Sequence, residues 1–145
     1  MKTLISAIKA QLQTDLTYVR DSDIYVTEDL LLIPDTVRCP AVAIKDGDID
    51  YTIETQVQET DTLEVTLAAY VELRKPEATI MGDAATGQKG VLDIIADIVA
   101  ALKNNTLSGQ AAVAVPVAET ASELLADEKT AIQTKTVTMR YSRYD

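Results

Sequence analysis

The sequence predicts an α+β fold, a mainly antiparallel sheet with two amphipathic helices packed on one face. Three observations carry this. Two segments, Leu4–Leu12 and Val91–Lys103, repeat apolar residues every three or four positions, as helices with one buried face do. Others, above all Leu63–Leu73 and Thr134–Tyr144, alternate apolar and polar residues with the period of two of a half-buried strand. The strand-like segments also follow one another directly rather than in βαβ order, which suits antiparallel pairing. At 145 residues, 47% hydrophobic and 25% charged, the chain is expected to form one domain over 1–145. With six Tyr and neither Phe nor Trp, its core is aliphatic.

In chain order, Leu4, Ile5, Ile8 and Leu12 form the stripe of an opening helix, with Lys2, Lys9 and Gln13 off it. Asp15–Asp23 is polar and turn-rich. Ile24-Tyr25-Val26 reads as a short strand and Leu30–Ile33 as a second, ended by Pro34. Pro40 opens Ala41–Ile44. Asp46-Gly47 between apolar runs then predicts a hairpin turn over Lys45–Asp48. The return strand sets Ile49, Tyr51, Ile53 and Val57 on one face and Asp50, Thr52, Glu54 and Gln56 on the other. In the next strand Leu63, Val65, Leu67, Ala69, Val71 and Leu73 face the core, opposite Glu64, Thr66, Tyr70 and Glu72.

Pro76 ends that strand, and Glu77–Gly90 reads as a flexible loop rich in Gly and Ala. The strongest helix follows, with Val91, Leu92, Ile95, Ile98, Val99 and Leu102 inward and Asp93, Asp97 and Lys103 outward. Asn104-Asn105 stops it. Ala112–Val117 suits a strand with Pro116 near an edge, and Thr120–Asp127 a short helix. Val137, Met139 and Tyr141 form the inner face of a closing strand.

Charge narrows the function. The net charge is −10, whereas a general nucleic-acid binder is expected to show a basic face. Lys129–Asp145 departs from this, with Lys129, Lys135, Arg140 and Arg143 against Asp145 alone. A basic end on an acidic body suggests complementarity between copies or with a partner; the alternative is a solvated strand face. No stretch approaches the roughly 20 apolar residues that span a bilayer. Lys9, Gln11 and Gln13 interrupt any signal-peptide core, so neither a membrane nor a secreted setting is expected. Asn104-Asn105-Thr106 is then a loop sequence. Cys39, before Pro40, reads as a half-buried filler, because a reactive thiol needs a cation or a helix N-terminus beside it.

Histidine is absent, which removes the usual nucleophile-activating base and the commonest metal ligand. Gly82–Lys89 resembles a phosphate loop in its glycine spacing, but Gln88 stands at the lysine position and Lys89 at the Mg²⁺-binding hydroxyl position. Asp46, Asp48 and Asp50 are spaced as in a calcium loop, yet Tyr51 takes the glycine position and Val57 that of the bidentate Glu. Carboxylate pairs such as Glu64 with Glu72, or Glu54 with Asp50, fall on the wet sides of strands. No enzyme activity, cofactor or metal is expected. What remains are apolar and aromatic residues in places that should be exposed. Ile80 and Met81 lie in the Gly-rich segment; Tyr141 and Tyr144 lie among Arg140 and Arg143. Tyr with Arg is typical of interface anchors, and the alternative for Met81 and Tyr141 is that they complete the core.

Several local sequences, in this order of elements, resemble the tail terminator (tail completion) proteins of long-tailed bacteriophages. They are the Leu4–Leu12 helix, Arg38-Cys39-Pro40-Ala41-Val42-Ala43-Ile44, the Leu63–Leu73 strand, the helix Gly90–Leu102, and Val137-Thr138-Met139-Arg140-Tyr141-Ser142-Arg143. The resemblance covers nearly the whole chain. It implies a homo-oligomeric ring, a hexamer, which caps the tail tube protein, stops its polymerisation and offers a docking face to a head-completion or neck protein. It also implies a virion protein at the tail–head junction, assembled in the host cytoplasm, without a cofactor and with DNA passing its channel unbound. An anionic lumen would let DNA pass without adhering. The alternatives are another neck component, such as a head-completion or connector subunit, and a small anion-binding enzyme using Gly82–Gly90.

Overall fold

The structure, a computed structural model, describes residues 1–53, 59–126 and 131–144, the side chains of Ala126 and Tyr144 excepted. Helix α1 spans Lys2–Asp15 and a 3₁₀ turn Asp21–Asp23. Strands β1 (Ile24–Val26), β2 (Ala41–Ile53) and β3 (Glu59–Glu72) follow, then helices α2 (Pro76–Met81) and α3 (Val91–Leu102). Strands β4 (Val113–Glu119), β5 (Glu123–Ala126) and β6 (Ala131–Tyr144) close the chain. The described strands make one six-stranded sheet in the order β1-β2-β3-β6-β4, with β5 beside β4 along the same edge of β6. All pairs are antiparallel except β1 with β2. The α+β class and the two main helices on one sheet face are as the apolar spacing predicts.

The core lies between that face and α1 with α3. Leu4, Ile8 and Leu12 from α1 and Val91, Ile94, Ile95, Ile98 and Leu102 from α3 meet Leu63, Val65, Leu67, Ala69 and Val71 of β3 and Val137, Met139 and Tyr141 of β6. The inward set on α3 keeps the predicted Val91, Ile95, Ile98 and Leu102, with Val99 partly buried beside them, and differs at Ile94 and Leu92. Positions 91, 94, 95, 98 and 102 form its stripe, so Ile94 is buried, whereas Leu92 sits on the stripe's margin, 41% exposed.

Local chemistry redirects the chain in four segments. Leu30–Ile33 is not a strand. The Asp29 carboxylate accepts the Leu31 N–H at 2.9 Å and Thr27 Oγ1 accepts the Asp29 N–H at 3.1 Å, and such local bonds bend the backbone. Leu30 and Ile33 thereby pack on Ala41, Ala43, Ala68 and Tyr70, a second small cluster on the far face of the sheet. Tyr70, predicted on the wet side, is buried there and donates its hydroxyl to the Leu30 carbonyl.

The Asp46-Gly47 hairpin is also absent. β2 runs straight through it, with one extra residue between Asp46, opposite Val65, and Ile49, opposite Leu63. This is a β-bulge. Gly47 is suited to it by lack of a side chain, since a Cβ there would lie 2.6 Å from the Glu64 carbonyl oxygen. Beyond the bulge the strand outruns the helices, so Tyr51 and Ile53 are 65% and 78% exposed rather than inward. Val57, Glu54 and Gln56 lie outside the described residues.

The predicted loop Glu77–Gly90 opens as the helix α2, for which Pro76 supplies the first-turn φ. Thr120–Asp127 forms β5 rather than a helix. Beyond β4 the edge of β6 is open, and Thr120 is drawn to it by exchange with Thr136: its N–H donates to the Thr136 carbonyl at 3.0 Å and its Oγ1 accepts the Thr136 N–H at 3.1 Å. Ladder pairing overrides helix propensity; Asp127 lies outside the described residues. Ala112–Val117 is realised as the edge strand β4 with Pro116 within it.

Candidate functional site

The stretch before α3 is the nearest thing to a ligand loop. Gly82 has φ +81°, and Asp83 and Gln88 exchange N–H···O bonds of 2.9 and 3.1 Å, closing a small turn. Gly82 and Gly90 touch so closely that a Cβ on Gly90 would strike the Ile80 carbonyl and the Gly82 nitrogen. A carboxylate already sits at the start of α3: Asp93 Oδ2 accepts the Gly90 N–H at 3.0 Å. A phosphate at that helix end would displace or confront a carboxylate, which opposes the anion-binding alternative.

Among the described residues, no group of three or more Cys, Asp or Glu is arranged to hold a metal ion. Glu64 and Glu72 lie eight residues apart along β3, roughly 27 Å at the strand rise, so they share no site. Glu64 is held by Arg140 at 2.8 Å. Burial, with the Glu72 and Asp23 charges, pushes the Cys39 thiol up to about 11, which keeps it protonated near neutrality.

One polar constellation escaped the sequence reading. Tyr18 donates its hydroxyl to Asp97 Oδ2 at 2.6 Å, and Lys89 Nζ stands 3.6 Å from the same oxygen and 5.2 Å over the Tyr18 ring. Burial and then the Asp97 bond raise the Tyr18 pKa, so the phenol is a settled donor rather than a base. The three residues clip the chain after α1 to α3 and line a 520 Å³ concavity there. Their separation in sequence left no local signal. A second missed group is Asp23, nearly buried, which accepts from Arg20 at 2.7 and 3.1 Å and from the Arg38 N–H at 3.0 Å.

The candidate interface residues whose side chains are described are not brought together. Ile80 is half-buried against the helical core, and Met81, next to it, is 63% exposed. Tyr141 is fully buried, with no hydrogen-bond partner for its hydroxyl among the described residues, so it completes the core. Arg140 and Arg143 point to opposite faces of the sheet. Arg140 shares the far face with Glu64, while Arg143 shares the helix-side face with Asp61, at 3.8 Å. The basic end is thus largely spent inside the molecule, Lys135 meeting Glu119 at 3.7 Å as well. The Tyr144 side chain lies outside the described residues. Other exposed apolar residues include Leu31 and Leu32 in the far-face loop, Tyr51 and Ile53 on β2, Leu124 on β5, and Leu73, which was expected to face the core.

These features define an α+β protein in which the described basic side chains Lys135, Arg140 and Arg143 are engaged in ion pairs and exposed apolar residues are scattered over the surface. No family model and no curated protein sequence matches the chain. Among solved structures it is similar to a chain in the virion of the native gene transfer agent particle. The two share 13% sequence identity at a TM-score of 0.54, over 98% of this chain and 95% of the other. At that identity the likeness is one of fold, and it extends from end to end.

Proposed function

We propose that this protein is a structural component of a phage-like virion and, within it, the ring-forming tail terminator that caps the tail tube and receives the head. The end-to-end likeness to a chain of the gene transfer agent virion carries the first part of this reading. The tail-terminator likeness of the local sequences supports the second. Assembly proteins of this class work through surfaces rather than pockets, and the Asp93-occupied start of α3 agrees with that. In the ring, six copies surround a channel, and a chain of net charge −10 gives DNA little to adhere to. Met81, Arg140, Arg143 and Tyr144 remain the contact candidates, with Ile80 half-buried against the core next to Met81.

The test is tube protein polymerising with this protein added. Tubes are expected to stop growing and to carry it at one end only, as seen by labelled electron microscopy. Because Arg140 and Arg143 face opposite sides, Arg140→Gln and Arg143→Gln separate the faces: the one that touches the tube weakens capping several-fold, with the fold unchanged by circular dichroism. Capture by portal-side proteins without capping indicates another neck component. Equal tube growth with and without the protein, and its absence from the tail–head junction, would sink the reading altogether.

A further inference from the structure

The two long edges of the sheet are treated differently. On β4, the Ala114 carbonyl accepts the Asn104 N–H at 2.9 Å, Pro116 has no N–H to offer, and a bulge follows before Ala118. That edge is blunted. On β2, the short β1 covers Val42–Ile44 only, and Thr27 adds one bond to the Ile44 carbonyl at 2.9 Å. The Ile44 backbone therefore points away from β3. Its partner there is Leu67, and the same alternation along β3 reaches Leu63, Asp61 and Glu59, which lie opposite Ile49, Tyr51 and Ile53. Those three residues aim their N–H and C=O groups outward. No backbone bond from another element reaches them among the described residues.

The side chains along this bare edge carry a pattern. Tyr51 and Ile53 expose apolar surface on the helix side, and Asp50 is exposed on the far side. The neighbouring cations are engaged: Lys45 with Asp46, Arg140 with Glu64, Arg143 with Asp61. Asp48 and Asp50 have no ion-pair partner among the described residues.

We propose that Ile49–Ile53 is a β-augmentation site for an extended segment of a second protein, in which apolar residues alternate with Lys or Arg. The apolar residues would lie beside Tyr51 and Ile53, and the cations beside Asp50 and Asp48. Another copy of this chain fits poorly, since its β1, β4 and β5 carry no cation and a second β2 would set Asp against Asp. The inference needs only the strand edge and stands or falls apart from the virion reading.

The probe is a fluorescent peptide of about nine residues alternating valine with lysine, the length of an ordinary strand, set against a scrambled peptide of the same composition. Anisotropy is expected to show saturable binding of the alternating peptide and at least ~10-fold weaker binding of the scrambled one. Asp48→Lys with Asp50→Lys is expected to weaken binding ~10-fold or more. Tyr51→Pro removes an outward N–H and leaves the β3 ladder intact, and it is expected to bind far more weakly than Tyr51→Ala, which keeps that N–H. Hydrogen exchange at Ile49, Tyr51 and Ile53 is expected to slow on binding. Equal affinity of both peptides, or of both Tyr51 variants with an unchanged circular dichroism spectrum, overturns the proposal.

Discussion

Tyr141 shows how one residue can look like two things. Its alternation with Val137 and Met139 points inward, and its place among Arg140 and Arg143 points to an interface; packing decides for the core. Its hydroxyl is buried without a partner among the described residues, and burial holds its pKa high. An unsatisfied buried hydroxyl costs stability, so Tyr141→Phe is expected to leave stability unchanged or raise it by about 1 kcal/mol in urea unfolding. Tyr141→Ala is expected to lose about 3–5 kcal/mol. Asp23 is the opposite case, a buried charge fully used. Hydrogen bonding from Arg20 is the main cause that lowers its pKa below the usual carboxylate value. The stability it contributes is present above the unfolded pKa of about 3.9 and is lost as pH falls through the lower folded value. Asp23→Asn is therefore expected to cost about 1–3 kcal/mol at pH 7, with the gap to the parent closing as the pH is taken below about 4.

Elements with a strong period were legible, and elements set by neighbours were not. α1, α3, β3 and β6 follow from the spacing of their own apolar residues, because each buries one face against the same core. β5 did not, because what makes Glu123–Ala126 a strand is the open edge of β6, which no property of that tetrapeptide announces. Asp46-Gly47 misled for a related reason. A glycine needed for a turn and a glycine needed for close approach look alike in sequence. Here the need is space against the Glu64 backbone rather than a positive φ. Gly47→Ala is accordingly expected to cost about 1–3 kcal/mol, as overpacking does, and to leave circular dichroism nearly unchanged. A turn glycine with negative φ would tolerate alanine at little cost.

At the scale of the whole molecule, one helical layer and one sheet face share a single aliphatic core, so distant residues should fail together. Leu67→Ala in β3 and Ile95→Ala in α3 are each expected to lose about 2–5 kcal/mol. Losses below about 0.5 kcal/mol at both positions, the range of surface changes, would contradict the buried placement. Far-ultraviolet and tyrosine signals should report one transition. The candidate site was less readable than the core. Periodicity tells inside from outside, but it does not tell which outside surface meets another molecule. Arg140 and Arg143 show the gap. Three residues apart on a strand, they face opposite sides, and the ion pairs that occupy them come from β3, some eighty positions earlier.

The last strand in the sequence is a middle strand of the sheet, flanked by β3 on one side and by β4 and β5 on the other. A ribosome therefore delivers β1 to β5 while the seam that joins them is still unmade. Until β6 emerges, β3 has one bare side and β4 and β5 have nothing to pair with, so the sheet cannot be completed while that strand is in the tunnel. The nascent chain is left with long apolar edges open, and α3 has only part of the surface it is meant to cover. A chain cut short before Ala131 is therefore expected to be not a smaller domain but an aggregation-prone one, with one side of β3 bare and β4 and β5 unpaired.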